Sequence, residues 1–165
     1  MKEEMINIVD ENDNVIDVKS KSEVREKVLL HRGITIFLLN SKKEVFVHQR
    51  ASIKKAYPNY WDIFINGFCS SGEDYEKAAL RELREEVGVN AEKLDFIKKI
   101  RYKSDNDDWF GSLYRYVYDG ELKFQKEEIE KGFFIPVDQL DEFIKTHKIK
   151  PSSLFMYENC KDLLK

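Results

Sequence analysis

The chain has 165 residues, a length suited to one globular domain with a buried core. Its 42% hydrophobic and 13% aromatic content excludes a disordered polymer, despite 36% charged residues. A net charge of -3, from 28 basic and 31 acidic residues, offers no global field for a nucleic acid polymer or an anionic membrane, so an anionic substrate would need local cations. No apolar run approaches the roughly 20 residues of a membrane span. Met1-Lys-Glu-Glu-Met5 contains no signal-peptide core, and Cys69 and Cys160 form no metal-ligand spacing. These features are expected of a cytoplasmic protein.

Met5 to Asp10 reads as a strand, Glu11 to Asn14 as a turn and Val15 to Val18 as a second strand, which predicts an N-terminal hairpin. Charged residues 19–28 are expected to connect it to His31–Leu39, whose apolar run suggests burial on both faces. Asn40 to Lys43 turns the chain into Glu44–Arg50, where alternation marks a half-buried strand. Ala51 to Asn59 is a loop carrying Lys54 and Lys55, and Trp61–Asn66 is the next strand.

Ser71-Gly72-Glu73-Asp74 has the form of a capping box and predicts a helix from near Glu73, with Gly88 as its left-handed C-cap. Ala79, Leu80, Leu83 and Val87 recur at helical spacing as one apolar stripe. Glu82, Glu85 and Glu86 stand at i, i+3 and i+4, so their carboxylates share another face. Like charges at that spacing repel, and they lie near the negative end of the helix dipole. A solvated face relieved by Arg81, Arg84 and Lys77 is one reading. A divalent cation with oxygen ligands is the other.

Downstream, Leu94–Tyr102 and Trp109–Tyr118 read as strands separated by the acidic loop Asp105–Asp108. Glu121–Lys131 is a charged loop, Phe133–Ile135 a short apolar piece, and Val137–Thr146 and Ser152–Leu164 two amphipathic helices. This order fits an α+β unit with a mixed sheet flanked by helices.

From Gly67 to Val89 the chain matches the pattern G-x5-E-x7-R-E-U-x-E-E-x-G-U, with U a bulky aliphatic residue. Gly67, Glu73, Arg81, Glu82, Glu85, Glu86 and Gly88 fill its fixed places, and Leu83 and Val89 the aliphatic ones. The chain thereby resembles the Nudix hydrolase family. The resemblance implies an α/β/α sandwich, a single domain over 1–165 with an N-terminal hairpin extension (1–28) and C-terminal helices (137–165), and magnesium-dependent hydrolysis, with manganese as the alternative ion. The expected substrate is a small-molecule nucleoside diphosphate linked to a moiety X. Glu82, Glu85, Glu86 and the Gly67 carbonyl would be metal ligands, while Glu73 and Arg81 would orient the motif. Glu128 is the leading candidate for general base, with Asp107, Asp108 or one of Glu82, Glu85 and Glu86 as others. Arg50, Lys54 and Lys55 could clamp a distal phosphate, or form a solubilising loop. Homodimers are frequent in the family, and the hairpin or the C-terminal helices could mediate one.

Residues 10–16, Leu30-His31-Arg32, Gln49-Arg50-Ala51 and Pro58–Asp62 also resemble the subgroup that holds type I isopentenyl-diphosphate isomerase. That enzyme needs a cysteine where this chain has Asn66 and a histidine where it has Phe68, so isomerisation is the weaker reading. His31 falls at another isomerase metal ligand, but with Phe68 in place of the partner histidine it is expected to pack in the strand. His48 and His147 are expected to be structural, and Cys69 a small loop packer. Trp61, Trp109, Phe110, Tyr114 and Tyr116 could stack on a flat group X or fill the core. A fold that binds a ligand to regulate other proteins, without hydrolysis, is the alternative function.

Overall fold

The computed structural model describes residues 2–164. Met1, in the opening stretch inspected for a signal-peptide core, and Lys165, at the end of the 137–165 segment, lie outside the described residues. β1 (Met5–Val9) and β2 (Val15–Ser20) form the N-terminal hairpin. Its turn is held by the Asp10 carboxylate, which accepts hydrogen bonds from the backbone N–H groups of Asn12 and Asn14.

The charged connection expected at residues 19–28 contains a helix, α1 (Lys21–Lys27). The Ser20 hydroxyl accepts from the Glu23 N–H, and Val28, at φ 51, ends the helix in the left-handed region. Ser20-x-x-Glu23 is itself a capping pattern, so the signal was present in the sequence. Val24 packs with Ile6 and Ile8 beneath it.

β3 (His31–Leu39) lies at the centre of a mixed sheet. It runs parallel to β8 (Asp108–Val117) on one side and antiparallel to β6 (Ile65–Phe68) on the other. β7 (Asp95–Lys103) pairs with β8. β1 joins at Ile8 opposite His31. β4 (Glu44–Arg50) meets β3 at Leu39 opposite Val45, and pairs with β9 (Ile129–Pro136) and with β5 (Trp61–Asp62). Side chains alternate across β3: Ile34, Ile36 and Leu38 face one core, Phe37 and Leu39 the other. α2 (Tyr75–Val87) covers the first core with Ala78, Ala79, Leu83 and Val87. α3 (Leu140–Thr146) and α4 (Pro151–Leu164) cover the second with Leu140, Phe143, Met156, Tyr157 and Cys160. The architecture is therefore the expected α/β/α sandwich.

Several local expectations change. β4 buries Val45, Phe46, Val47 and His48 in succession, because it is covered on both faces and not on one. The strand expected over Trp61–Asn66 is split: β5 pairs with β4, whereas β6 pairs with β3. The break is stabilised by the Asp62 carboxylate, which accepts from the Phe64 N–H. β9 extends well before the apolar Phe133–Ile135, since register with β4 continues to Ile129 opposite Arg50. The first C-terminal helix opens as a 3-10 turn at Val137–Gln139. Among the described residues no helix is long and apolar enough to cross a membrane.

Candidate active site

α2 carries the site. Its N-cap is Asp74, whose carboxylate accepts from the Lys77 N–H, so the helix begins at Tyr75 and not near Glu73. Glu73 stays in the loop because Gly72, at φ 85, turns the chain just before it. There the Glu73 carboxylate accepts from the Ser70 N–H and from Arg81. Gly88, at φ 73, closes the helix as its left-handed C-cap. Leu80, expected in the apolar stripe, is only partly buried.

The acidic face is not evenly solvated. The Glu85 side chain is 48% exposed, that of Glu82 12%, and Glu86 as a residue 7%. Glu82 lies directly against β6. A Cβ on Gly67 would fall 2.2 Å from the Glu82 carboxyl carbon, so any other residue there would displace the Glu82 side chain. Opposite, a Cβ on Gly33 would lie 3.3 Å from the Gly67 carbonyl oxygen.

Arg81 ties loop, strand and helix together. Its Nε and Nη2 donate to the two Glu73 oxygens at 2.7 and 3.0 Å, and Nη2 also donates to the Phe68 carbonyl at 3.0 Å. Nη1 reaches Glu82 at 2.8 Å and Glu85 at 3.1 Å. Four groups on three segments thus share one planar donor fork. The acceptors around Arg81 hold its guanidinium firmly charged, against the cost of burial.

Burial pushes Glu82 up to about 7, in spite of Arg81. Burial pushes Glu86 well above the usual carboxylate range, and the charges of Glu82, Glu128 and Asp62 add to it. The nearby cations are engaged elsewhere: Arg81 as described, and Lys54 on Glu128 at 2.5 Å. A pair of buried carboxylates driven toward neutrality is the electrostatic signature of a site that takes up a cation or a proton.

Glu82, Glu85, Glu86 and Glu128 line one cavity of about 580 Å³. Arg50 and Lys54 line it too, but Lys55 does not and is exposed on the loop. The basic loop therefore contributes two of its three expected cations. Arg50 donates to the carbonyls of Ala56 and Tyr57.

Among the described residues no three His, Cys, Asp or Glu side chains stand together at metal-ligating distance. Glu82 and Glu85 turn their oxygens onto Arg81 instead. The donor set nevertheless fits a hard divalent ion: carboxylates at helical spacing, the Gly67 carbonyl on the adjoining strand, and a buried Glu86 that a cation would relieve.

Around this centre, His31 is buried, with its Nδ1 2.8 Å from the Leu29 carbonyl and its ring stacked on Phe68 at 4.8 Å. Asp107 lines the cavity and accepts from the Trp109 indole, whereas Asp108 is held by Arg101. Of the aromatic residues singled out, Trp61, Trp109 and Tyr114 belong to the cores, Tyr116 packs partly buried against one of them, and Trp109 also lines the cavity. Phe110 sits beneath Lys99 and Arg101. His48 is buried against Phe46 with Nδ1 unpartnered, and His147 stacks on Phe143. Burial raises the Cys69 thiol far above its ordinary range, which suits packing and not reactivity. Cavity residues without a sequence signal include Tyr57, Tyr102, Gln125 and Lys150. They come from elements far apart in the chain, and none belongs to a local pattern.

Residues 29–156 match the family model described as the NUDIX domain. An uncharacterized Nudix hydrolase of Pseudomonas aeruginosa is 33% identical over 92% of this chain and 89% of its own. An isopentenyl-diphosphate Delta-isomerase of Photorhabdus laumondii is 31% identical over 86% of this chain and 84% of its own. Among solved structures, a Deinococcus radiodurans protein superposes with a TM-score of 0.78 at 25% identity, covering 95% of this chain and 99% of the other.

Proposed function

The chain belongs to the Nudix family as a pyrophosphohydrolase, and from that membership we propose that it hydrolyses the diphosphate linkage of nucleoside diphosphates joined to another moiety X, with magnesium or manganese. The observation that supports this best is Glu86, a carboxylate 7% exposed and pushed toward neutrality, beside Glu82 in a ligand-sized cavity.

Glu82, Glu85, Glu86 and the Gly67 carbonyl would hold the ion. When bound, it supplies charge neutralisation for the phosphates and acidifies a water. The chain's own residues do the rest. Arg81 and Glu73 orient the glutamate face against β6, so that the carboxylates are positioned before substrate arrives. Glu128, held by Lys54 at 2.5 Å and near enough to Glu86 to raise it, is the proposed general base. Asp108 is a poorer candidate, since both its oxygens are engaged by Arg101.

The isomerase relatives do not bring their chemistry with them. The Asn66 amide donates to the Asp62 carboxylate and the Phe64 carbonyl, and Phe68 places a ring on His31. Neither position offers a thiol acid or an imidazole ligand.

The test is phosphoanhydride cleavage on a panel of nucleoside-diphosphate-linked compounds, with and without magnesium, for wild type and Glu86→Gln in parallel. Magnesium-dependent turnover that Glu86→Gln loses is expected. Absence of turnover across the panel, with compounds still bound, would favour the ligand-binding regulator.

A further inference from the structure

The cavity contains a cation that neither the motif nor the basic loop supplies. Lys150 lies just before α4, where its carbonyl accepts from the N–H groups of Ser153 and Leu154 and its own N–H donates to the Trp61 carbonyl. These bonds fix the backbone between β5 and α4. The side chain, 16% exposed, lines the cavity.

Its ammonium has no hydrogen-bond acceptor among the described residues. Asp62 Oδ2 is the nearest partner, at 3.7 Å, beyond hydrogen-bond range. Asp62 is already satisfied: Oδ1 accepts from the Ser153 hydroxyl at 2.8 Å and the Phe64 N–H at 3.1 Å, and Oδ2 from Asn66 at 2.9 Å. The other cations of the cavity are occupied or outside. Lys54 is locked on Glu128, Arg50 on two carbonyls, Arg81 on its carboxylates, and Lys21 on Glu4. Arg25 is exposed and lies over the Phe68 ring.

Three N–H donors left open in a largely buried position are costly without an acceptor. Water in the cavity relieves part of that cost, and an anionic ligand would relieve more. Arg50 and Glu86 both lie within electrostatic reach of Lys150, so an anion seated on it would also sit near the proposed metal site.

We propose that Lys150 is a substrate-binding residue that donates to a non-bridging oxygen of the diphosphate, the role expected of Arg50, Lys54 and Lys55 from their place before the motif. That the anion is a diphosphate rests on the hydrolase reading.

The probe is inorganic pyrophosphate with magnesium, titrated by calorimetry into wild type, Lys150→Met and Lys150→Arg. Loss of one charge-assisted hydrogen bond should weaken binding of Lys150→Met by about tenfold or more, and Lys150→Arg should restore most of it. On any compound that is turned over, KM should rise with kcat little changed. Binding by Lys150→Met within about twofold of wild type would overturn the proposal, as would a wild type that does not bind pyrophosphate. So would Lys150→Arg as weak as Lys150→Met with both variants melting like wild type. The turnover panel decides separately. Pyrophosphate binding that depends on Lys150, in a protein that cleaves nothing, would leave this proposal standing and remove the hydrolase reading.

Discussion

Gly67 and Glu82 are in contact through an absence: the missing Cβ of Gly67 would stand 2.2 Å from the Glu82 carboxyl carbon. The strand can pass so close to the helix only without a side chain. The same closeness sets the Glu82 carboxylate directly beside the Gly67 backbone. Gly67→Ala should therefore displace Glu82 and cost about 1–3 kcal/mol of stability through overpacking. Activity should fall far more, by roughly a hundredfold, since misplacement by about 1 Å can have that effect. Steady-state kinetics beside thermal melts separate the two losses.

Glu86→Gln should abolish most turnover and yet stabilise the metal-free protein. The folded pKa of Glu86 lies above its unfolded value, so the folded state binds the extra proton and stability falls as pH rises from the ordinary carboxylate range upward. The variant lacks that slope. In chelator its melting temperature should exceed that of wild type by a few degrees at pH 8, on the order of 2–4 °C per kcal/mol for a chain of this size, and the gap should close toward pH 5. Added magnesium should raise the wild-type melt and leave the variant nearly unmoved. Calorimetric scans at both pH values check this.

Arg81→Lys keeps the charge and loses the fork. A point-like ammonium cannot serve Glu73, the Phe68 carbonyl, Glu82 and Glu85 together. A loss of about 2 kcal/mol or more in stability is expected, with at least a tenfold fall in kcat/KM. Denaturant titration and kinetics on the same preparations would show both, and full retention of either would remove Arg81 from its orienting role.

His48 should make the fold acid-sensitive. Burial holds it down to about 4, while its unfolded value stays near 6.5. Between those values the unfolded chain binds the proton and the folded chain does not, so stability rises with pH across that window and is lost on acidification. The full effect is about 3 kcal/mol. His48→Phe should flatten the dependence of unfolding free energy on pH between about 4 and 6.5, as measured by denaturant midpoints.

The amino-acid sequence alone determined the helix of the motif, its glycine stop and the spacing of Glu82, Glu85 and Glu86. Periodicity, capping and helix geometry act within a turn or two of chain. The same locality explains its errors. The capping box at Ser71 pointed to a start near Glu73, yet the cap is Asp74, because Gly72 reverses the chain and Arg81 draws Glu73 away. Alternation in β4 resembled a half-buried strand because no local pattern reports a second covering layer.

Only the tertiary structure decided which carboxylates are charged at a cost, which cations are already engaged and which one is left open. Glu86 is pushed up by burial and by the charges of Glu82, Glu128 and Asp62, and Lys54 is consumed by Glu128. Lys150 is brought beside Asp62 by the pairing of Trp61 with the segment before α4. Burial and pairing of polar groups depend on neighbours distant in sequence, and spacing along one segment does not encode them.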